Sequence, residues 1–384
     1  MTSRAQIASH RLRAAQQAMA EQGLDALLIT GGTNLVYLSG YPYVDTNLAR
    51  PFFLLVPRLG RPGLLVHTGR AYEARALSWI EDVRTYEPLS AAPVGELAAI
   101  MREREVFGGR IGMELGFEQR LGLPPAELDR LRAELAPTVI ADAAMLLWHL
   151  RMIKAAWDLD AMRQACAITA QSYARTFAET RGGEPERDVM LRMTHETMRC
   201  GGGSPWVAIT SGPGNYDVVM GHGTDRLLRR GDMVWMDSGC TVASLWSDYG
   251  RAGVIGGPSP EQTQAQRLVR AIVEEGVAMV QPGARTSEIA KRLNDRVNNL
   301  PLPVTSHIST IAGRVGHGIG LDLTEPPHLS EADPTVLQPG MVISIEPGLA
   351  TDYGIFHIEE NVIVTPSGHD VISVAPWHLT TLTA

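Results

Sequence analysis

Two domains, an α/β layer followed by an α+β domain, are what this sequence predicts, and three observations carry the prediction. The chain has 384 residues, more than one ordinary hydrophobic core accommodates. Residues 1–150 alternate short apolar runs with amphipathic stretches, the pattern of a layered α/β domain. Residues 151–384 contain two successive passages in which a pair of helical patterns gives way to β-branched runs, which suggests a pseudo-symmetric domain with a site between its halves.

In the first region, residues 8–22 read as an amphipathic helix with Leu12, Ala15, Met19 and Ala20 on one stripe, ended by Gly23. Ala26–Ile29 reads as a buried strand, Gly31–Asn34 as a loop and Leu35–Leu38 as the start of a short helix or strand. Further strands are expected between Pro51 and Pro57, at Gly63–Val66 and at Ile111–Met113. Helices are expected over 70–80, 94–103 and, opened by prolines, 125–135. Ala141 to Phe177 reads as continuously helical, with the crossover between domains near Lys154–Asp158. In the second region, helices end at Gly182-Gly183 and Gln281-Pro282-Gly283 and restart near Glu186 and Thr286. Strands are expected at Trp206–Ile209, Met233–Met236, Met341–Ile345 and Asn361–Val364.

Composition narrows the function. The net charge of -8 and the lack of a Lys/Arg run argue against nucleic acid as a partner. No apolar stretch approaches the ~18 residues that span a bilayer, so no membrane partner is expected. Arg4, Arg11 and Arg13 precede no apolar segment, so a Sec-type signal peptide is not expected. Cys166, Cys200 and Cys240 form no CxxC pair, which fits a reducing, cytoplasmic compartment.

Five residues carry the chemistry. Asp237 ends the apolar run Met233–Met236, where a carboxylate is unfavourable unless its charge is balanced. Asp248 follows 11 positions later, a spacing that suits two adjacent strands joined by a loop. His317 stands between Gly316 and Gly318, an arrangement that lets backbone approach a buried ligand closely. Glu346 closes the run Ile343–Ile345, and Glu359 enters the β-branched segment ending at Val364. On strand alternation, His357 and Glu359 share one face. Singly, each of these residues also fits a structural role. Together they form a set of four carboxylates and one imidazole, suited to two divalent cations such as Mn2+, Co2+, Fe2+ or Zn2+.

At these motifs the sequence resembles the metallopeptidase family of aminopeptidase P, prolidase and creatinase. Gly23–Leu28 and Asn34–Gly40 look like the creatinase-type N-terminal domain, and Leu150–Lys154 with Met162-Arg163 look like its domain junction. The resemblance implies a pita-bread α+β domain over 151–384 behind a creatinase-like domain over 1–150. It implies that Asp237 is a terminal ligand, that Asp248 and Glu359 bridge, and that His317 and Glu346 each bind one ion, Glu346 also relaying a proton. A homodimer acting on a peptide or small-molecule substrate is implied as well. Glu360, one past the ligand, is expected beside the site or exposed.

The family pattern is broken in three places. Peptidase members carry a His seven positions after the ligand His, where this chain has Thr324, and Thr cannot serve as a general acid near neutral pH. A substrate-binding His some 11 positions before the Gly-Asp turn is replaced by Met220, with His222 two residues on. The Arg two before the bridging Glu is replaced by His357, which either shuttles the proton or orients Glu359. His328 is a further candidate for the missing imidazole.

The default activity implied is cleavage of an Xaa-Pro peptide bond. Relatives of this fold act on creatine, ectoine and dimethylsulfoniopropionate, so a small metabolite is the alternative substrate. The lyase variant is disfavoured by Gly239, where an extra carboxylate is expected. A metal-free binding protein on the same fold is disfavoured by the complete ligand set. A nucleotide-binding reading of Gly212-Pro213-Gly214 lacks the required glycine spacing.

Overall fold

Helix α1 (Arg4–Gln22) opens the chain, starting earlier than its apolar stripe does. Ser3 accepts the Gln6 amide while the Gln6 side chain accepts the Ser3 amide, a reciprocal cap that polar residues supply without any apolar signal. Gly23 ends the helix with φ 63°, a left-handed conformation that glycine adopts without penalty. The computed structural model describes residues 3–42, 50–89 and 91–384, and the chain divides into two units, Met1–Arg151 and Met152–Ala384.

The first unit is built on strands β1 (Ala26–Ile29), β2 (Phe53–Pro57), β3 (Gly63–His67), β4 (Asp82–Tyr86), β5 (Arg110–Met113) and β6 (Val139–Asp142), in sheet order β4-β3-β2-β1-β5-β6. Pairs β1–β2 and β2–β3 are antiparallel, and β3–β4, β1–β5 and β5–β6 parallel. Helices α2 (Gly32–Ser39), α3 (Ala71–Leu77), α4 (Val94–Glu103) and α5 (Pro125–Glu134) connect them, followed by α6 (Ala144–Met152). Leu28, Phe53, Leu55, Ile111 and Met113 from the strands pack with Leu97, Met101 and Leu131 from the helices.

Two sequence expectations are corrected here. The helix over 70–80 is only α3, because the chain continues into β4, a half-exposed edge strand whose Arg84 pairs with Asp82 and Glu103. The continuous helix over 141–177 is instead β6, α6 and α7 (Ala156–Glu179). The Asp142 side chain accepts the Ala144 amide at 2.9 Å, and Asp158 accepts the Ala155 amide at 3.2 Å, so local caps break an apolar pattern that periodicity alone runs together.

The second unit repeats a helix pair followed by strands. Helices α7 and α8 (Glu186–Arg199) precede β7 (Gly203–Ser211), β8 (Met233–Val242), β9 (Leu245–Trp246) and β10 (Tyr249–Ile255). Helices α9 (Pro260–Met279) and α10 (Thr286–Asn298) precede β11 (Val304–Ser306), the short α11 (Ile308–Ala312), β12 (His317–Gly318), β13 (Glu325–His328), β14 (Val342–Ile345), β15 (Gly348–Thr351), β16 (Gly354–His357), β17 (Glu360–Thr365), β18 (Gly368–Val371) and β19 (Thr380–Leu382). One sheet runs β19-β10-β8-β7, a second β13-β12-β14-β17-β18, and a third β11-β15-β16. Inward residues such as Trp235, Met236, Ile343 and Ile345 are 0–1% exposed, so any polar group among them is cut off from water.

Candidate metal centre

The site is assembled from the ends of strands in two sheets of the second unit. Asp237 lies within β8, opposite Ala208 of β7 and Gly250 of β10. Asp248 immediately precedes β10, His317 begins β12, Glu346 follows β14 and Glu359 precedes β17. The Asn361 side chain holds Asp248 from both sides. Its Oδ1 accepts the Asp248 amide at 2.9 Å, and its Nδ2 donates to the Asp248 carbonyl.

The glycines around His317 act differently from expectation. A side chain at Gly316 would collide with the Ser344 carbonyl, and one at Gly318 with the Pro326 carbonyl. Neighbouring strand backbone, not a ligand, fills the space that these glycines leave. His357 and Glu359 likewise do not share a strand face, because β16 ends at His357 and β17 begins at Glu360. His357 closes one strand and Glu359 lies in the link to the next, so alternation along a single strand does not relate them.

His317 is 2% exposed, and its Nδ1 lies 2.9 Å from the Gly318 carbonyl. A carbonyl only accepts, so Nδ1 carries the proton and Nε2 presents its lone pair. Nε2 faces Asp248 at 3.7 Å, Glu346 at 3.5 Å and Glu359 at 3.8 Å. Asp248, His317 and Glu359 each bring one ligand atom within 4.8 Å of the others, and so do Asp237, His357 and Glu359. Glu359 therefore belongs to both groups.

The electrostatics of the shell test whether cations fit it. Asp237 Oδ1, Asp248 Oδ1, Glu346 Oε1 and both Glu359 carboxylate oxygens are buried without a hydrogen-bond partner. Burial pushes Asp237 up, and burial together with the neighbouring carboxylates pushes Asp248 and Glu359 well above the usual carboxylate range. Burial also raises Glu346, but His317, the hydrogen bond from His357 and the Arg314 charge outweigh it and hold that carboxyl at about 2. Burial lowers His317 although Glu346 opposes it, which favours the neutral form that a ligand needs. Orphaned buried oxygens around a neutral imidazole are what divalent cations satisfy, so the donor set fits them.

The remaining candidates are spread around this shell. His357 Nε2 lies 3.2 Å from Glu346 Oε2, while its Nδ1 is buried against Gly250 with no partner. Burial lowers the His357 imidazole, but Glu346 and Asp237 outweigh burial and raise it. Thr324 is half-buried beside Arg314, whose Nη2 donates to its Oγ1 at 3.5 Å. Met220 is 64% exposed and His222 is exposed on the β7–β8 connection. His328 lies opposite His317 in the β12–β13 pair. Glu360 is 2% exposed and points away from the shell, toward Arg251 at 3.0 Å and Arg270 at 2.5 Å, so it is buried structure and not a surface residue.

Arg314 and Asn361 were missed from the sequence. Arg314 Nε lies 3.9 Å from Glu346 Oε1. An Asn inside the β-branched run Glu360–Thr365 was a readable anomaly, since a buried strand amide needs dedicated partners.

Family comparison agrees with this geometry. Residues 160–366 match the model of metallopeptidase family M24, and residues 11–153 match the creatinase/prolidase N-terminal domain. The chain belongs to metallopeptidase family M24. It is a metal-dependent enzyme of that family, with the pita-bread fold behind a creatinase-type domain. An Xaa-Pro dipeptidase of Pyrococcus horikoshii is 25% identical over 354 residues, covering 91% of this chain and 93% of that protein. An ectoine hydrolase of Halomonas elongata is 26% identical, covering 96% of each chain. The crystal structure of dipeptidase PepE from Mycobacterium ulcerans superposes with a TM-score of 0.83 at 26% identity over 100% of both chains.

Proposed function

We propose that this enzyme hydrolyses a C–N bond, by default the Xaa-Pro bond of a dipeptide, with two divalent cations held by Asp237, Asp248, His317, Glu346 and Glu359. The observation that carries the reading is the row of unpartnered buried carboxylate oxygens, with Glu359 common to both ligand groups. Asp237 would hold one ion as a terminal carboxylate, Asp248 and Glu359 would be shared between the two ions, and His317 and Glu346 would each serve one. Mn2+, Co2+, Fe2+ and Zn2+ all suit this oxygen-rich set with one imidazole. When bound, such ions polarise a carbonyl and acidify a water.

The protein's own part is proton handling and orientation. Glu346 would meet an ion through Oε1, which no hydrogen bond occupies, and relay a proton through Oε2, which faces His357 Nε2. His357 Nε2 would hold that oxygen in place while the proton waits there, and Glu346 would deliver the proton to the leaving nitrogen. Of these two imidazoles, His317 has its far nitrogen tied to an acceptor and His357 does not, which supports His317 for ligation and His357 for proton handling. Peptide or small-molecule substrates, a homodimer and a cytoplasmic setting complete the proposal.

Thr324 and Met220, at positions where peptidases carry histidine, favour a second reading in which the substrate is a small metabolite such as a cyclic amidine. Metal-reconstituted enzyme screened against Xaa-Pro dipeptides, cyclic amidines, guanidino acids and betaines decides between the two. Release of proline from dipeptides supports the first, and turnover confined to a metabolite replaces it. Thr324→His is expected to raise Xaa-Pro cleavage by about tenfold or more if the absent imidazole limits it. An unchanged rate turns the assignment away from peptides.

A further inference from the structure

The geometry points to Arg314 as the residue that recognises a carboxylate on the substrate, next to the bond that is cleaved. This rests on the reading of the site as a metal-dependent hydrolase and names the residue that would set its preference for a free carboxylate over an amide.

Exposure across the site gives it a direction. Side-chain exposure is 0% at Glu359, 3% at His317, 4% at Asp248, 16% at Glu346 and 31% at Arg314. The bridging pair forms the closed side, and Glu346, Arg314 and the partly exposed Asp237 form the more open one. A substrate entering from water therefore meets the guanidinium beside the ligand shell.

Arg314 is not built as a structural ion pair. Arg251 in the same unit shows what one looks like: 3% exposed, with its fork donating to the Gly250, Glu359 and Ala375 carbonyls and to Glu360 at 2.8–3.0 Å. Arg314 instead reaches Thr324 at 3.5 Å and approaches Glu346 at 3.9 Å, with its Nε rather than with a two-pronged contact. The carboxylate oxygen it approaches, Glu346 Oε1, is one that the proposed ligation takes up. A guanidinium has five N–H donors in a planar fork suited to a carboxylate, and most of this fork is unspent. Thr324, the residue that departs from the peptidase pattern, accepts from that guanidinium.

A positive group at the mouth of a four-carboxylate site also has an electrostatic reason. With the four carboxylates balanced by two divalent cations, Arg314 adds a net positive charge at the entrance, which favours an anionic substrate.

The test uses the metal-loaded full chain, wild type, R314M and R314K. The substrates are an Xaa-Pro dipeptide and its C-terminal amide, with metal content measured in every sample. Equilibrium binding of proline and prolinamide is measured by calorimetry in parallel. The wild type is expected to prefer acid over amide by about 10- to 100-fold, mostly in KM and in binding. R314M is expected to bring the acid down to the level of the amide with metal content retained, and R314K to restore part of the preference. A wild type that binds proline no better than prolinamide overturns the proposal. So does R314M lowering acid and amide by the same factor, or losing metal, since either marks a role through Glu346. If the wild type cleaves neither peptide, the Xaa-Pro reading fails, and the binding arm still decides the role of Arg314.

Discussion

Glu114 in the first unit and Glu359 in the second are both carboxylates taken out of water, at 1% and 0% exposure. Glu114 spends its oxygens locally. It accepts the Thr30 amide and hydroxyl, each at 2.9 Å, and the Asn34 side-chain amide at 3.2 Å. Glu359 has neither oxygen partnered, although the adjacent Glu360 is saturated by Arg251, Arg270 and Ser373. Burial dominates both groups, but the consequence differs. Glu114 is held up at about 7, moderated by its donors and by Arg151, whereas at Glu359 neighbouring Asp248 and Asp237 add to burial and push it well above the usual carboxylate range. A buried acid whose donors come from the fold is architecture. One whose neighbours are other acids is unstable without a cation and marks function.

The largest effect that tests this contrast is at the shell itself. Asp248→Ala is expected to remove bound metal and lower turnover by a factor on the order of 1,000 or more. The metal-free variant is expected to be no less stable than metal-free wild type, because a repelled carboxylate is deleted while the backbone groups that Asn361 clamps remain. Elemental analysis and urea unfolding check both statements. A variant that keeps two metal ions breaks the bridging assignment.

Glu360→Gln is the opposite case. It leaves the buried Arg251, 3% exposed, without its counter-charge, while Arg270 keeps Glu274, and the loss is expected to be about 3–5 kcal/mol. Urea unfolding of the metal-free protein reads this directly. A loss under about 0.5 kcal/mol would place Glu360 with Glu359 and dissolve the contrast.

Glu114 gives the contrast a pH dependence. Its folded pKa, about 7, lies above the unfolded value, so the folded state binds the extra proton. Its contribution is fully present below pH ~4.3 and is lost as pH rises through about 7, roughly 3 kcal/mol across that window. Glu114→Gln is expected to flatten this decline in the unfolding of the first unit between pH 4.5 and 7. An unchanged slope would assign the titration elsewhere.

What the sequence disclosed follows the same division. Asp237, Asp248, His317, Glu346 and Glu359 stood out because an acid or imidazole at the end of an apolar strand conflicts with its surroundings, and that conflict is local. The strands and helices around them were legible for a similar reason, since apolar periodicity is a property of a short window. Arg314 and the Asn361 clamp were not legible as site residues. Their meaning lies in contacts across 32 and 113 sequence positions, to Glu346 and to Asp248. Glu360 next to Glu359 shows the limit most clearly. Two identical side chains in succession are separated only by which sheet face each meets, and Arg251 and Arg270 decide that from outside the segment.

The smallest effect probes how finely Glu114 is balanced. Thr30→Val deletes a hydroxyl that donates to Glu114 at 2.9 Å and accepts the Gly122 amide at 3.0 Å. The loss is expected to be about 1–2 kcal/mol at pH 7, where an ionised Glu114 needs each donor. It is expected to be smaller at pH 5, where a protonated Glu114 no longer calls on the hydroxyl and only the Gly122 amide is left unpaired. Urea unfolding at the two pH values separates the parts. A loss equal at both would mean that the Gly122 contact alone carries it. Glu114 would then stay protonated in the fold throughout, and its donors would shape the loop without setting its charge.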